Sequence, residues 1–295
     1  MKQNIKLKKI CVHLCLSAVS ILLFLSSNSF AQTVAASTAP LLKRTAYKTE
    51  TIDFGAGGTV SIVGAPAGSI TVEGWQKNSV EVSAEVEVQA GNESDLALLA
   101  GVNTFVIDND FGHIRIQTVG TYDKGYMKRA AKKFPKNLLN MPFRVDYHIK
   151  VPIFCDLEID GGRGDLNLSN VDGSIQIKVL ESNAKFNLIG GTINATIGGG
   201  NVDVTIPAHN WRGRNVDVQL AKGNMNVFLP LNLNANVDAA ILRTGQIENA
   251  YKPLVPRVQR AKFTDKSIVA KSGAGGAALS FTVGDGALKI AAVEN

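Results

Sequence analysis

The chain has 295 residues, 45% hydrophobic, 19% charged and 6% aromatic, with 28 glycines, 9 prolines and 31 Lys+Arg against 25 Asp+Glu. That apolar fraction fills a core of ordinary size and excludes collagen, mucin-like stalks and disordered tails. The formal net charge of +6 suggests a basic protein, but the excess sits at the start of the chain.

Lys2, Lys6, Lys8 and Lys9 form a basic run, residues 10–25 an apolar stretch, and Ser29-Phe30-Ala31 a small-residue cleavage site. This order is that of a secretory signal peptide over residues 1–31. The stretch falls short of the ~20 apolar residues that span a bilayer and is broken by His13, Ser17 and Ser20, which argues against an uncleaved anchor. Val12-His13-Leu14 lacks the small residues expected before a lipidated cysteine at Cys15. Four lysines and no acids leave with the leader, so 27 basic residues face 25 acidic ones afterwards. A nucleic-acid partner thereby loses its support, because phosphate binding needs concentrated positive charge. Cys11 and Cys15 leave as well, so Cys155 remains alone and no internal disulfide is expected. No histidine lies near it in sequence to activate it as a nucleophile. The expected location is outside the cytoplasm: periplasm, cell surface or medium, with no transmembrane span after cleavage.

Residues 32–48 carry no periodicity and are expected to be a flexible N-terminal segment. Residues 49–151 read as an N-terminal β region, sandwich-like or capping. Strict alternation in Val80-Glu81-Val82-Ser83-Ala84-Glu85-Val86-Glu87-Val88 and in Val145-Asp146-Tyr147-His148-Ile149-Lys150-Val151 predicts half-buried strands. Helical spacing occurs only over residues 94–101 and 126–139. Within this region a basic insertion, 122–142, holds Lys124, Lys128, Arg129, Lys132, Lys133 and Lys136 against one acid, Asp123, with Tyr122, Tyr126 and Phe134 interleaved. Such a cluster suits docking on an anionic envelope surface or acidic glycan, where each near-surface cation adds ~1 kcal/mol at low screening. A solvated, solubilising loop is the plain alternative.

Residues 152–295 are dominated by a repeat. Gly164-Asp165-Leu166-Asn167-Leu168, Gly173-Ser174-Ile175-Gln176-Ile177, Gly191-Thr192-Ile193-Asn194-Ala195 and Gly200-Asn201-Val202-Asp203-Val204 share the form Gly-polar-apolar-polar-apolar. Their starts fall nine apart if Ser182-Asn183-Ala184-Lys185-Phe186 fills the gap. The register resumes at Arg214 and Gly223, and isolated copies stand at Gly68, Gly112 and Gly286. Such a unit is a short strand plus a turn, with glycine at the corner. One strand cannot bury its face alone, so successive units must stack. The reading is all-β: a β-solenoid-like stack with coils of about 18 residues, preferred over an antiparallel meander because the turns are near-identical in length and Asn-Gly and Asp-Gly hairpin pairs are few.

The stretch Gly68-Ser69-Ile70-Thr71-Val72-Glu73-Gly74-Trp75, then Ile149-Lys150-Val151-Pro152 leading into the repeats, then Gly273-Ala274-Gly275-Gly276-Ala277-Ala278-Leu279 through Gly284-Asp285-Gly286-Ala287-Leu288-Lys289-Ile290, resembles a bacterial exported β-strand-repeat family labelled putative adhesin, a domain of unknown function. The resemblance covers most of residues 50–290. It implies a right-handed β-solenoid-like fold, an envelope or surface location and no established catalytic residues.

Further candidates are weaker. Trp75 and Trp211 could stack on sugars, though isolated aromatics more often pack against a strand. Asn167, Gln176, Lys185, Asn194 and Asp203, each nine from the last, could present a polar ladder to sugar hydroxyls. Asp156, Glu158 and Asp160, two apart on a strand, would share one face and keep a polysaccharide-cleaving β-helix enzyme as an alternative. Gly161-Gly162-Arg163-Gly164 opens like a calcium-binding nonapeptide, but Leu166 stands where the ligand Asp belongs. Arg163-Gly164-Asp165 spells an integrin tripeptide at a corner where Gly and Asp are expected anyway. No metal or cofactor motif is present. The expected function is non-enzymatic binding or scaffolding at the cell envelope, with an envelope-stress or regulatory interaction module as a further alternative.

Overall fold

The computed structural model describes residues 40–207, 211–260 and 262–293. The signal peptide expected over residues 1–31, like the chain to Ala39, lies outside the described residues. In chain order the first elements are β1 (Leu42–Asp53), β2 (Thr59–Val63), β3 (Ile70–Trp75), β4 (Ser79–Ala90), α1 (Glu93–Val102), β5 (Thr104–Asp110), β6 (His113–Val119), α2 (Lys124–Ala130), a 3₁₀ turn at Lys136–Leu138 and β7 (Phe143–Pro152). Then follow β8 (Asp156–Arg163), β9 (Leu166–Ser169), β10 (Ser174–Glu181), β11 (Ala184–Asn187), β12 (Gly190–Thr205), β13 (Arg212–Leu229), β14 (Ala235–Ile241), β15 (Ile247–Asn249), β16 (Val255–Pro256), β17 (Ser267–Ser272), β18 (Ala277–Asp285) and β19 (Leu288–Ala292). The fold is all-β with two short helices.

Two parallel ladders run through the repeats. In one, Leu157 of β8 faces Ile175 of β10, which faces Ile193 of β12. In the other, Leu166 of β9 faces Ala184 of β11, which faces Val202 of β12. Partners are 18 residues apart along each ladder, so units nine apart alternate between the two. β12 and β13 are long enough to bend once and serve both ladders, pairing Ile193 with Val216 and Val202 with Met225. β13 then pairs with β18 and β19, skipping the intervening chain. That chain closes the end through β14, which pairs with β18 and β17.

Inward rows are continuous and apolar. Val60, Leu157, Ile175, Ile193, Val216, Leu279 and Val237 form one, and Ile70, Leu166, Ala184, Val202, Met225, Leu288 and Ile247 the other, all buried. Each of the larger side chains contributes about 1.5–3 kcal/mol of burial. The bends require glycine: Gly223 adopts φ 132°, and a Cβ there would stand 1.8 Å from the Gly200 carbonyl oxygen of the neighbouring β12. Only a residue without a side chain allows adjacent corners to approach so closely.

The N-terminal strands extend the same ladders. β2 pairs in parallel with β8 and β6, and β3 with β9 and β7, so the ladders run across the boundary expected at residue 151. β4 pairs antiparallel with β7 and with β1. This corrects the expectation of a flexible segment over 32–48 for its described part, since Leu42–Lys48 pair residue by residue with Ala90–Ala84. The strand is an edge whose two rows are both largely polar and exposed, so no period-two signal marks it. The helical spacing over 126–139 resolves into α2, ending at Ala130, and the separate 3₁₀ turn after Pro135. Proline at that position cannot continue a helix.

Candidate functional site

The basic insertion is held to the body by a few apolar anchors. Met127 of α2 and Leu138 of the 3₁₀ turn are buried, and Phe134 packs on the core. Tyr122 stacks on Phe143 with ring centroids 5.8 Å apart and donates its hydroxyl to the Thr118 carbonyl. Burial, with Asp123 adding a smaller push, raises this phenol to about 12, so it remains neutral. The one acid of the insertion is committed to structure: Asp123 caps α2, its Oδ1 accepting from the N–H groups of Gly125 at 2.8 Å and Tyr126 at 3.0 Å.

With those contacts made, Lys124, Lys128, Arg129, Lys132, Lys133 and Lys136 all stand exposed. Among the described residues none of the six enters an ion pair. The ion pairs among the described residues lie elsewhere, as in Lys150–Glu81 at 3.0 Å, Arg163–Glu181 at 2.8 Å and Arg257–Asp238 at 2.6 Å. Beside the cations runs a cleft of about 660 Å³ between α1 and the insertion. Its lining joins the apolar Leu98, Val102, Ala130 and Phe134 to the cations Arg129, Lys132 and Lys133. Leu98 remains 45% exposed there. Cations beside apolar residues in one cleft suit an anionic amphiphilic surface.

The tryptophans are used otherwise, and neither lines this cleft. Trp75 donates Nε1–H to the Ser79 carbonyl at 2.8 Å, and its ring already carries the ammonium groups of Lys77 at 4.4 Å and Lys150 at 5.4 Å. Trp211 packs partly on the core and lies over Gly213, with its Nε1 buried and without a hydrogen-bond partner.

The nine-residue polar series does not form one ladder. Asn167, Lys185 and Asp203 align on one face, whereas Gln176 and Asn194 align on the other. The continuous amide row stands at the corner, where Asn183 donates to Asp165 at 3.2 Å, Asn201 to Asn183 at 3.3 Å and Asn224 to Asn201 at 3.3 Å. The integrin-like tripeptide belongs to the same corner: Arg163 pairs with Glu181, and Asp165 takes the Asn183 amide.

Asp156, Glu158 and Asp160 do share the outward face of β8. Asp156 accepts the Ser174 backbone N–H at 2.7 Å, and Glu158 accepts the Ser61 hydroxyl at 2.7 Å. Ser61 also lies 2.7 Å from His113 Nε2. This trio escapes sequence reading because its members come from β2, β6 and β8, joined only by ladder register. A serine has one proton. With it donated to Glu158, the imidazole nitrogen must act as the donor to Ser61, which reverses the direction needed for a histidine to activate a serine. Cys155 is buried, and burial first, then Asp156, pushes its thiol up to about 12. Among the described residues no group of three or more His, Cys, Asp or Glu is gathered to hold a metal ion, and no helix is long and apolar enough to cross a membrane.

No family model matches the chain, and no curated protein matches it. Solved structures do. A putative cell adhesion protein from Clostridium sporogenes is 15% identical over 85% of this chain and 100% of its own, with a TM-score of 0.47. A putative adhesin from Bacteroides fragilis is 11% identical over 84% and 97%, at 0.29. A putative lipid binding protein from Parabacteroides distasonis is 13% identical over 84% and 97%, at 0.28. The first two carry names of the same kind as the exported β-strand-repeat family that the order of parts in this sequence resembles.

Proposed function

We propose that this chain is an exported, non-enzymatic envelope-binding protein. In this reading a right-handed β-solenoid serves as a rigid body, and the insertion between β6 and β7 docks it on an anionic lipid surface. One observation carries the reading: six exposed cations within 13 residues, without an acid partner among the described residues, beside an apolar cleft. At ~1 kcal/mol per near-surface cation, such a patch binds at low ionic strength and releases as the Debye length shortens. The location that fits is the periplasm or cell surface. The polysaccharide-cleaving alternative needs carboxylates free to meet substrate, and Asp156 and Glu158 are hydrogen-bonded to the protein itself.

The test is co-sedimentation of the full chain with phosphatidylcholine vesicles, with and without phosphatidylglycerol, at low and high salt. A variant with all six cations changed to glutamine runs beside it. Binding is expected only to the anionic vesicles, weakened by salt and lost in the variant. Binding that ignores both salt and the substitutions overturns this reading. Capture on an acidic polysaccharide without any vesicle binding replaces the lipid surface with a glycan. Release of reducing sugar from that polysaccharide, abolished by Glu158→Ala, would restore the enzymatic alternative.

A further inference from the structure

β1 pairs with β4 along its whole length and, among the described residues, with no other strand. One row of its backbone N–H and C=O groups is therefore an open edge, a template for another strand. The side chains on it are unusually bare for a 12-residue strand: residues 42–49 are all exposed, Leu42 at 45% and Tyr47 at 77%.

The register shows what this edge accepts. On the core side, β4 presents Ala90, Val88, Val86, Ala84, Val82 and Val80, and β1 places Leu42, Arg44, Ala46, Lys48, Glu50 and Ile52 opposite them. Three charges in the row that would continue the core repel an arbitrary apolar strand. They also specify a partner. We propose that β1 pairs antiparallel with β1 of a second copy, about a two-fold axis through Tyr47.

The geometry of an edge-to-edge dimer is restrictive. A two-fold axis perpendicular to the sheet keeps each face on its own side, so facing residues must come from the same row and the axis must pass through a residue. Centred on Tyr47, Arg44 faces Glu50 of the second copy, twice by symmetry. In the same row Leu42 faces Ile52 and Ala46 faces Lys48. In the outward row Thr45 faces Thr49, and Tyr47 meets its own copy. Centring on Ala46 instead sets Arg44 against Lys48, and centring on Lys48 sets that lysine against itself. Like charges directly opposite are destabilising in a sheet, so the registers on Ala46 and Lys48 are disfavoured; centring on Thr49 sets Lys48 against Glu50 but overlaps only residues 45–53, against 42–52 about Tyr47, which is the register we adopt. Such an interface is isologous and closes after two copies. Main-chain bonds supply its affinity and the side-chain rows its specificity.

Forming it disturbs little. Arg44 now meets Glu93 at 2.8 Å and Lys48 meets Glu50 at 2.6 Å, all four side chains being at least 41% exposed. Exposed pairs of this kind contribute about 0–1 kcal/mol, so they regroup readily.

The test is sedimentation velocity on the full chain, expressed with its own N-terminus, across a concentration series. A concentration-dependent monomer–dimer equilibrium is expected. Arg44→Glu alone and Glu50→Arg alone each bring like charges together at two symmetric places and should weaken the dimer at least about tenfold. The double reversal Arg44→Glu/Glu50→Arg should restore it, which also guards against a single variant that merely folds poorly. A chain monomeric up to its solubility limit overturns the proposal. So does a dimer indifferent to both single reversals, or one that the double reversal fails to rescue.

Discussion

The repeat ladders and the basic insertion use charge in opposite ways. Along the ladders several cations meet an acid on the neighbouring strand or across a corner, as Arg163 meets Glu181 at 2.8 Å, Lys289 meets Glu248 at 3.4 Å and Arg243 meets Asp285 at 2.6 Å. Stacked rows lie about 4.8 Å apart, so an unbalanced column of like charges would weaken the stack. The insertion's six cations stand on no ladder strand, so that constraint does not reach them. Under the proposed function this is a division of labour: ladder residues act on stability, insertion residues on binding.

The largest effect expected on the ladder side is loss of a layer of core. Phe186 is fully buried, between Leu168 of β9 and Val204 of β12. Phe186→Ala should cost about 3–5 kcal/mol in denaturant unfolding. The glutamine variant of the six insertion cations should stay within about 0.5 kcal/mol of the parent. A comparable loss in that variant would make the insertion structural and remove the contrast.

Corners come next. Gly223→Ala forces a left-handed backbone on alanine and drives its Cβ against the Gly200 carbonyl, with a cost of about 2–3 kcal/mol. Gly91→Ala, where a Cβ would meet nothing within 4 Å, is the control and should be close to neutral. Equal melting temperatures for the two variants would mean that the corner relaxes and is not the fixed point of the coil.

How much of this was legible in the sequence depends on what local periodicity can report. Alternation identified β4 and β7, the nine-residue unit located the ladder strands, and Gly164, Gly200, Gly223 and Gly286 do take positive φ at the corners. Period two tells which face of a strand is buried; it says nothing of which strand lies alongside. For that reason the pairing of β13 with β18 across Asn215 and Ala278 was out of reach, as were the Ser61–His113–Glu158 contacts. β1 was missed for a different reason: an edge strand with charges on its core side has no apolar row to betray it. The six cations could be read from composition, but their lack of partners could not, because only the fold shows which acids come within reach of them.

Ser182 offers a smaller test of the corner rule. It occupies the position held by Gly164 eighteen residues before and Gly200 eighteen after, and its hydroxyl is buried without a hydrogen-bond partner. An unpartnered buried hydroxyl costs roughly 1–3 kcal/mol relative to solvent. Ser182→Ala should therefore stabilise the protein by about 1 kcal/mol, read as a higher denaturant midpoint at unchanged slope. A loss of stability would mean that the hydroxyl is satisfied, by an internal water for example.

The smallest effect is expected from a surface ion pair, and pH reveals it. Asp285, at the end of β18, accepts from the Arg243 guanidinium and from the Thr244 hydroxyl at 2.8 Å. The Arg243 hydrogen bond first, then that of Thr244, hold its carboxyl down to about 2. An ordinary aspartate titrates near 3.9, so in acid the unfolded chain takes up the proton first. The stabilisation is therefore fully present above about pH 4 and is lost as pH falls towards 2. Because the group is exposed, the effect is modest and weakened by salt. Asp285→Asn removes the titrating group, so its stability should fall less steeply than the parent's between about pH 4 and 2. The glutamine variant of the insertion, which leaves every acid in place, should follow the parent curve. An Asp285→Asn curve that also overlays the parent would mean that this corner is held by backbone pairing alone, and that charge matching along the ladders prevents repulsion without adding stability of its own.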